Sequence, residues 1–486
     1  MTDVPVLIVG GGLTGLSAAL FLGTFGIRSL VVERRQSTTT HPKARGLNAR
    51  TMELFRGIGL ERRVLTGGAD LSENSDILVC RTLADPPLDR VVKSRNDLET
   101  SRVSPSQECL CPQDILEPIL VDAARRRGAV VDFQSELQHF DQDGDGVTAT
   151  IDGHLVHADY LVACDGAGSG IRDRLGITMR GDAPTFHSLG IAFSADLAGV
   201  VSPPFILAYI THPDASGVLL PINNRDRWIF HVRFDPARGE SAADFTADRC
   251  NRLIRTATGR PDLRIELTQV REWTTTCAIA DRYRENRIFI AGDAAHLFPP
   301  AGALGANTAI QDVHNLAWKL AFVLKGLAGA SLLDTYEAER LSIGQMTMEQ
   351  ALLRWHSMER GTDPGFLDDL EIMFGSRYIS RAVLNSGPLY PSQDGLDRTP
   401  GTRAPHIWLN DGSSTLDLFG PEFTVLYGRG EWAAAARGLK QPVKACHVDV
   451  RTNVALLIRP DGYVAWRGED PSQLATVLAE ILDSDG

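Results

Sequence analysis

Long apolar stretches are missing from this sequence: no run approaches the ~20 residues that a membrane-spanning helix needs. A concentrated basic face is missing too. The net charge is −12, with acids and bases interspersed. That argues against nucleic acid and anionic membrane as partners, because both reward clustered positive charge. The one basic cluster, Arg125 to Arg127, falls late in a helical pattern, where it complements a helix C-terminus. Cysteine is sparse: the seven residues are scattered and odd in number, which excludes a disulfide framework and fits a reducing cytoplasm. Cys109 and Cys111 stand close together, but no Cys/His pair with zinc spacing completes a set, so no metal site is expected. Met-Thr-Asp runs straight into an apolar strand, without the charged leader or cleavage site of a secretory signal.

What is present begins at once. Residues 4–9 are short, apolar and β-branched, as in a buried parallel strand. Gly10-Gly11-Gly12-Leu13-Thr14-Gly15 follows, then a helical run from Leu16 to Phe25, and a strand from Ser29 to Val32 ending in Glu33. Strand, G-x-G-x-x-G, helix, strand and acid form the dinucleotide-binding fingerprint. Gly10 makes the tight turn, Gly12 lets a pyrophosphate approach, and Gly15 lets helix and strand pack. The helix N-terminus offers N–H groups to phosphates, and Glu33 can accept from ribose hydroxyls.

The fingerprint alone does not choose between NAD and FAD. Two later apolar strands, Tyr160 to Cys164 and Arg287 to Ala291, each run into an acid beside glycine, at Asp165-Gly166 and Gly292-Asp293. Ligands of open α/β sheets sit at such strand ends. After Asp293, Pro299 and Pro300 stiffen a loop in which Gly302 and Gly305 allow a flat ligand close to the backbone. Asn307 is then expected to cap a helix whose N-terminus would stabilise the negative edge of a reduced flavin.

These motifs resemble the flavoprotein hydroxylases of the para-hydroxybenzoate hydroxylase fold, and most of all the aromatic polyketide hydroxylases that act on anthracycline, angucycline and tetracycline-type rings. The resemblance runs the length of the chain. It is strongest at His41 to Glu53, Gln113 to Pro118, Asp165-Gly166 and Gly292 to Asn307. It implies an α/β fold: a Rossmann-like FAD-binding domain of the glutathione reductase type, an interleaved antiparallel-sheet substrate domain and a C-terminal thioredoxin-like domain. The segments expected are 1–76, 105–178 and 277–385 for FAD, 77–104 and 179–276 for substrate, a linker at 386–405, and 406–486 for the last domain. Beyond residue 400 the only cysteine is Cys446, so that domain lacks a C-x-x-C dithiol and is expected to have a structural or dimer-contact role.

The resemblance also implies roles. Leu13 and Thr14 would line the pyrophosphate, Glu33 and Arg34 the adenosine end, and Arg45 and Gln113 the flavin side. Asp165 and Pro300 belong to the same cofactor set; Asp293 would bond the ribityl chain, and Gly305, Ala306 and Asn307 would meet the ring. Tyr209 matches a substrate-facing position and, with Arg45, is the candidate for the catalytic pocket. Arg354 and His356 are weaker candidates for facing the cavity, since such residues on a helix more often serve solvent or packing. NADPH is expected as a transient reductant, O2 as co-substrate and an aromatic small molecule as substrate, in a monomer or homodimer. The implied chemistry is attack of a phenolate on a flavin C4a-hydroperoxide. The alternatives on the same scaffold are Baeyer–Villiger or epoxidising oxygenation, a non-hydroxylating flavin-binding scaffold protein, and an electron-transfer flavoprotein, for which no partner-docking charge patch is visible.

Overall fold

The computed structural model describes residues 2–92, 98–201, 203–360, 365–384, 398–450 and 452–483. Of the expected linker, residues 386–397 lie outside the described residues. Strand Thr2–Val9 runs parallel to His154–Ala163 on one side and to Ser29–Glu33 on the other. Sandwiched in this way, its second half is buried on both faces, which is why it reads as one apolar run. The sheet continues in parallel through Val130–Phe133 at one end and Ile288–Ile290 at the other. The carboxyl ends at Val9, Glu33, Ala163 and Ile290 therefore share one edge. Helix Leu13–Thr24 packs on Gln113–Arg126 and on Leu304–Leu324.

A second sheet runs in the order His296–Leu297, Glu266–Ala280, Met179–Ser194, Arg227–Phe234, Gly217–Pro221, Phe205–Ile210, Asp76–Cys80, Asp89–Val92. It is antiparallel as expected, with one correction: Phe205–Ile210 and Asp76–Cys80 pair in parallel. The two come from distant parts of the chain, so no hairpin dictates their direction. One face carries Leu189, Ile191, Phe193, Phe230 and Val232 and packs on Cys250, Ile254 and Ala257 of helix Ala247–Thr258. The period of two turns the intervening residues to the other face. There Tyr209 lies opposite Val218, Val218 opposite His231, His231 opposite Gly190, and Gly190 opposite Arg271. Because His296–Leu297 joins this sheet, the loop after Asp293 ties the two sheets together.

The C-terminal sheet pairs Phe423–Tyr427 in parallel with Val443–His447 and antiparallel with Ala455–Ile458, which pairs with Val464–Gly468. Helices Trp432–Arg437 and Leu474–Leu482 complete it. Its turn Arg459-Pro460-Asp461-Gly462 is buried against the helices of the first sheet. Arg459 donates to Glu339 at 2.6 and 2.9 Å, and Asp461 accepts from Asn315 and Trp318, each at 3.2 Å. Lys319 donates to Glu339 at 2.8 Å, and both side chains are fully buried. Trp318 and Phe322 meet Phe423 edge-on. Among the described residues no helix is long and apolar enough to cross a membrane.

Candidate active site

A cavity of about 590 Å³ opens at the carboxyl edge of the first sheet. Gly10, Gly12, Leu13, Thr14, Glu33, Arg34, Gln113, Asp165, Asp293 and Ala306 line it. Ten of the expected positions thus converge on one crevice. Gly10 has φ +108°, and a Cβ there would lie 2.2 Å from the Cys164 carbonyl oxygen. A Cβ on Gly15 would lie 1.9 Å from the Gly10 carbonyl oxygen, so Gly15 packs the turn without reaching the cavity. Gly12 differs: the nearest atom to an added Cβ is Glu117 Oε1 at 3.9 Å, which leaves room for a ligand.

Two helices, Leu13–Thr24 and Leu304–Leu324, start at this cavity, and neither has a side-chain cap. Their first-turn N–H groups and positive dipole ends therefore face the same space. Glu33 accepts from the Gly11 N–H at 2.8 Å and from the Arg35 N–H at 2.9 Å. A carboxylate has further lone pairs, so it can still accept from a hydroxyl. The other acids have raised pKa values: burial pushes up Asp293, against the pull of His296 and Lys43, and burial pushes up Asp165. Asp165 Oδ1 is buried without a hydrogen-bond partner, as is proper for a group awaiting a ligand. Two anion-seeking helix ends, a glycine cradle and three acids at strand ends fit the pyrophosphate, ribose and ribityl parts of FAD.

Some expected residues stand elsewhere. Arg45 is buried, and its guanidinium donates to the carbonyls of Pro221 and Ile206 (the latter at 2.8 Å), tying the segment before strand Gly46–Leu47 to the second sheet. Pro300 and Gly305 are off the cavity wall. Asn307 is not the helix cap, because the helix begins at Leu304 after Ala303, whose φ is +55°. Its side chain accepts from the Asn48 N–H at 3.0 Å and donates to the Gly46 and Ala303 carbonyls at 3.0 and 2.8 Å. Tyr209 is off the cavity wall, half-buried on the face of the second sheet turned away from helix Ala247–Thr258, with burial raising its pKa. Arg354 bonds Gln350, Leu367 and Asp369 and lies against Gly302, whereas His356 is exposed.

Sequence reasoning passed over Lys43 and Glu117, which also line the cavity. Burial, Arg35 and Arg271 hold Lys43 below its usual range. Burial raises Glu117, which accepts from Gln113 at 2.6 Å and from the Thr39 N–H at 2.7 Å. Gln113 in turn accepts from the Ala44 N–H at 3.3 Å. An acid inside the apolar run Ile115 to Leu120 was the available signal for Glu117.

A glycine cradle and converging helix ends at the carboxyl edge of the first sheet define an FAD-dependent oxidoreductase. Residues 3–351 match the FAD binding domain family, and residues 397–484 match the C-terminal domain of aromatic-ring hydroxylases. The chain belongs to the FAD-dependent aromatic-ring hydroxylases. It is 43% identical to a tetracenomycin A2 monooxygenase-dioxygenase of Streptomyces glaucescens, covering 99% of this chain and 96% of that one. It is 37% identical to an aklavinone 12-hydroxylase of Streptomyces purpurascens, covering 99% of both. Among solved structures it resembles an aklavinone-11 hydroxylase in complex with FAD and aklavinone, with a TM-score of 0.91, 36% identity and 99% of both chains covered.

Proposed function

We propose that this enzyme hydroxylates a phenolic ring of a polycyclic aromatic polyketide, with a reduced nicotinamide and O2 as co-substrates. The observation that carries the reading is the uncapped start of helix Leu304–Leu324 at the cavity that Asp293 lines, with the loop after Asp293 joining the second sheet through His296–Leu297. Bound FAD supplies the activation of O2. The chain's residues do the rest. The uncapped first turn of Leu304–Leu324 would offer N–H groups to the negative charge of a reduced flavin. Leu13, Thr14 and Gly12 receive the pyrophosphate, Glu33 and Arg34 the adenosine end, and Asp293 the ribityl chain. Arg45 holds the second sheet in place, so that Tyr209 and its neighbours present a dry surface to the substrate. Residues 406–486 act as a structural thioredoxin-like domain. Net charge supports a partner list without nucleic acid, and odd, scattered cysteine supports a reducing cytoplasm.

The test is NADPH oxidation by the FAD-loaded protein with a panel of anthracycline-type aglycones and simple phenols. The expected result is oxidation stimulated by the polycycles, with products heavier by one oxygen on an aromatic carbon. Oxygen inserted beside a carbonyl would replace hydroxylation with Baeyer–Villiger chemistry. No stimulation by any aromatic would end the reading.

A further inference from the structure

The face of the second sheet that carries Tyr209 holds a residue that neither the sequence motifs nor the cofactor site employs. His231 is half-buried in the middle of strand Arg227–Phe234, in the cross-strand row that begins at Tyr209. Opposite it stands Gly190, and an added Cβ there would lie 3.3 Å from the imidazole Cε1, so the missing side chain gives the ring room. Trp273 donates its indole N–H to His231 Nδ1 at 3.3 Å, and the rings meet edge-to-face at 5.6 Å. An indole nitrogen only donates. Nδ1 must therefore accept, and the imidazole proton resides on Nε2. Burial, His41 and Arg45 push the His231 pKa down to about 4, so the ring is neutral at pH 7 and too weak a base to take a phenol's proton. What it can do is donate. Arg45 and His41 belong to the segment that crosses this face next to cavity residues Lys43 and Ala44. Arg271 adds a second guanidinium to the same row.

We propose that His231 is the residue that takes hold of the substrate's oxygen, its Nε2–H donating to a phenolic ring held as phenolate in the positive field of Arg45 and Arg271. Trp273 is a positioning residue that acts through the tautomer it fixes. The proposal rests on the reading of this face as the hydroxylase substrate site and names a residue that reading leaves open. It also defines the ligand: a planar polycycle with an ionisable hydroxyl, distinguished from the same skeleton without one.

The experiment uses FAD-loaded protein and two probes that differ only in that hydroxyl, 2-hydroxyanthraquinone and anthraquinone. Wild type is expected to prefer the first by about tenfold, and to shift the bound dye's absorption to the red, ionised form. His231→Phe should lose both the preference and the red band, while anthraquinone affinity and FAD content stay within about twofold. His231→Gln, which keeps an N–H donor, should retain most of the preference, and Trp273→Phe should fall between. If His231→Phe keeps the preference and the ionised band, the assignment of His231 is overturned while the polycyclic reading stands. If wild type binds neither probe, the polycyclic reading itself falls and takes His231 with it.

Discussion

Gly10, Gly11, Gly12 and Gly15 stand within a single turn, yet each is glycine for its own reason. At Gly10 and Gly15 the protein's own carbonyls leave no space, and at Gly11 an added Cβ would lie 2.7 Å from that of Glu33. Gly12 has ordinary extended backbone and open space. Gly12→Ala should therefore leave apoprotein stability within about 0.5 kcal/mol and weaken FAD by more than tenfold, because the methyl projects where phosphate must come. Gly15→Ala should instead cost at least about 1–3 kcal/mol by overpacking. Thermal melting of apoprotein and FAD titration separate the two, and a Gly12→Ala protein with wild-type FAD affinity would contradict the phosphate role. The glycines were legible because a backbone constraint excludes every other residue type. His231, Lys43 and Glu117 were not, since one polar residue in a strand or helix looks the same whether it faces a cleft or water.

Helix Leu304–Leu324 shows what happens to such legibility at element boundaries. The sequence places its cap at Asn307, four residues late, because a start through left-handed Gly302 and Ala303 carries no cap signature. The displaced asparagine serves as a clamp, holding the segment around Gly46 and Asn48 to the helix. Asn307→Ala strands three backbone groups. It should cost about 2 kcal/mol, lower the melting temperature by several degrees, and weaken FAD as the two segments part. Unchanged melting and FAD affinity would show that the clamp does not matter. Strands at the cofactor edge were read within a residue or two: residues 4–9, Ser29 to Glu33 and Arg287 to Ala291 form Thr2–Val9, Ser29–Glu33 and Ile288–Ile290. Glu266–Ala280 was missed because its first half, facing water and cleft, is too polar to announce itself. The parallel pairing of Phe205–Ile210 with Asp76–Cys80 depends on contacts that no local pattern records.

Across the whole molecule, buried charge joins the last domain to the first. Despite burial, Arg459 and Lys319 hold the Glu339 carboxyl far below its ordinary 4.5, and Arg340 and His296 hold Asp312 below 3.8. Asp312 also accepts from the Gly292 N–H at 3.3 Å, at the turn that presents Asp293. With folded values depressed, the unfolded chain binds more protons on acidification. The stability these groups contribute is complete above their unfolded values and drains away as pH falls below them. Melting temperature should thus drop steeply from about pH 5 to pH 3. Glu339→Gln should flatten that acid slope while costing about 3–5 kcal/mol at pH 7, because it removes the carboxylate paired with Lys319 and one of the two paired with Arg459. An acid slope identical to wild type would contradict this account.

The same plug has a bearing on how the enzyme is made. A ribosome lays down the nucleotide-cradling helices long before Arg403, Arg459 and Asp461 emerge. Until then Glu53 lacks its Arg403 partner and Glu339 lacks Arg459. The cofactor cleft is therefore finished from its far end. A nascent polypeptide stopped short of that turn keeps Arg50 beside Glu53 and Lys319 beside Glu339 but lacks the second cation of each group, so its interior charge is only partly matched.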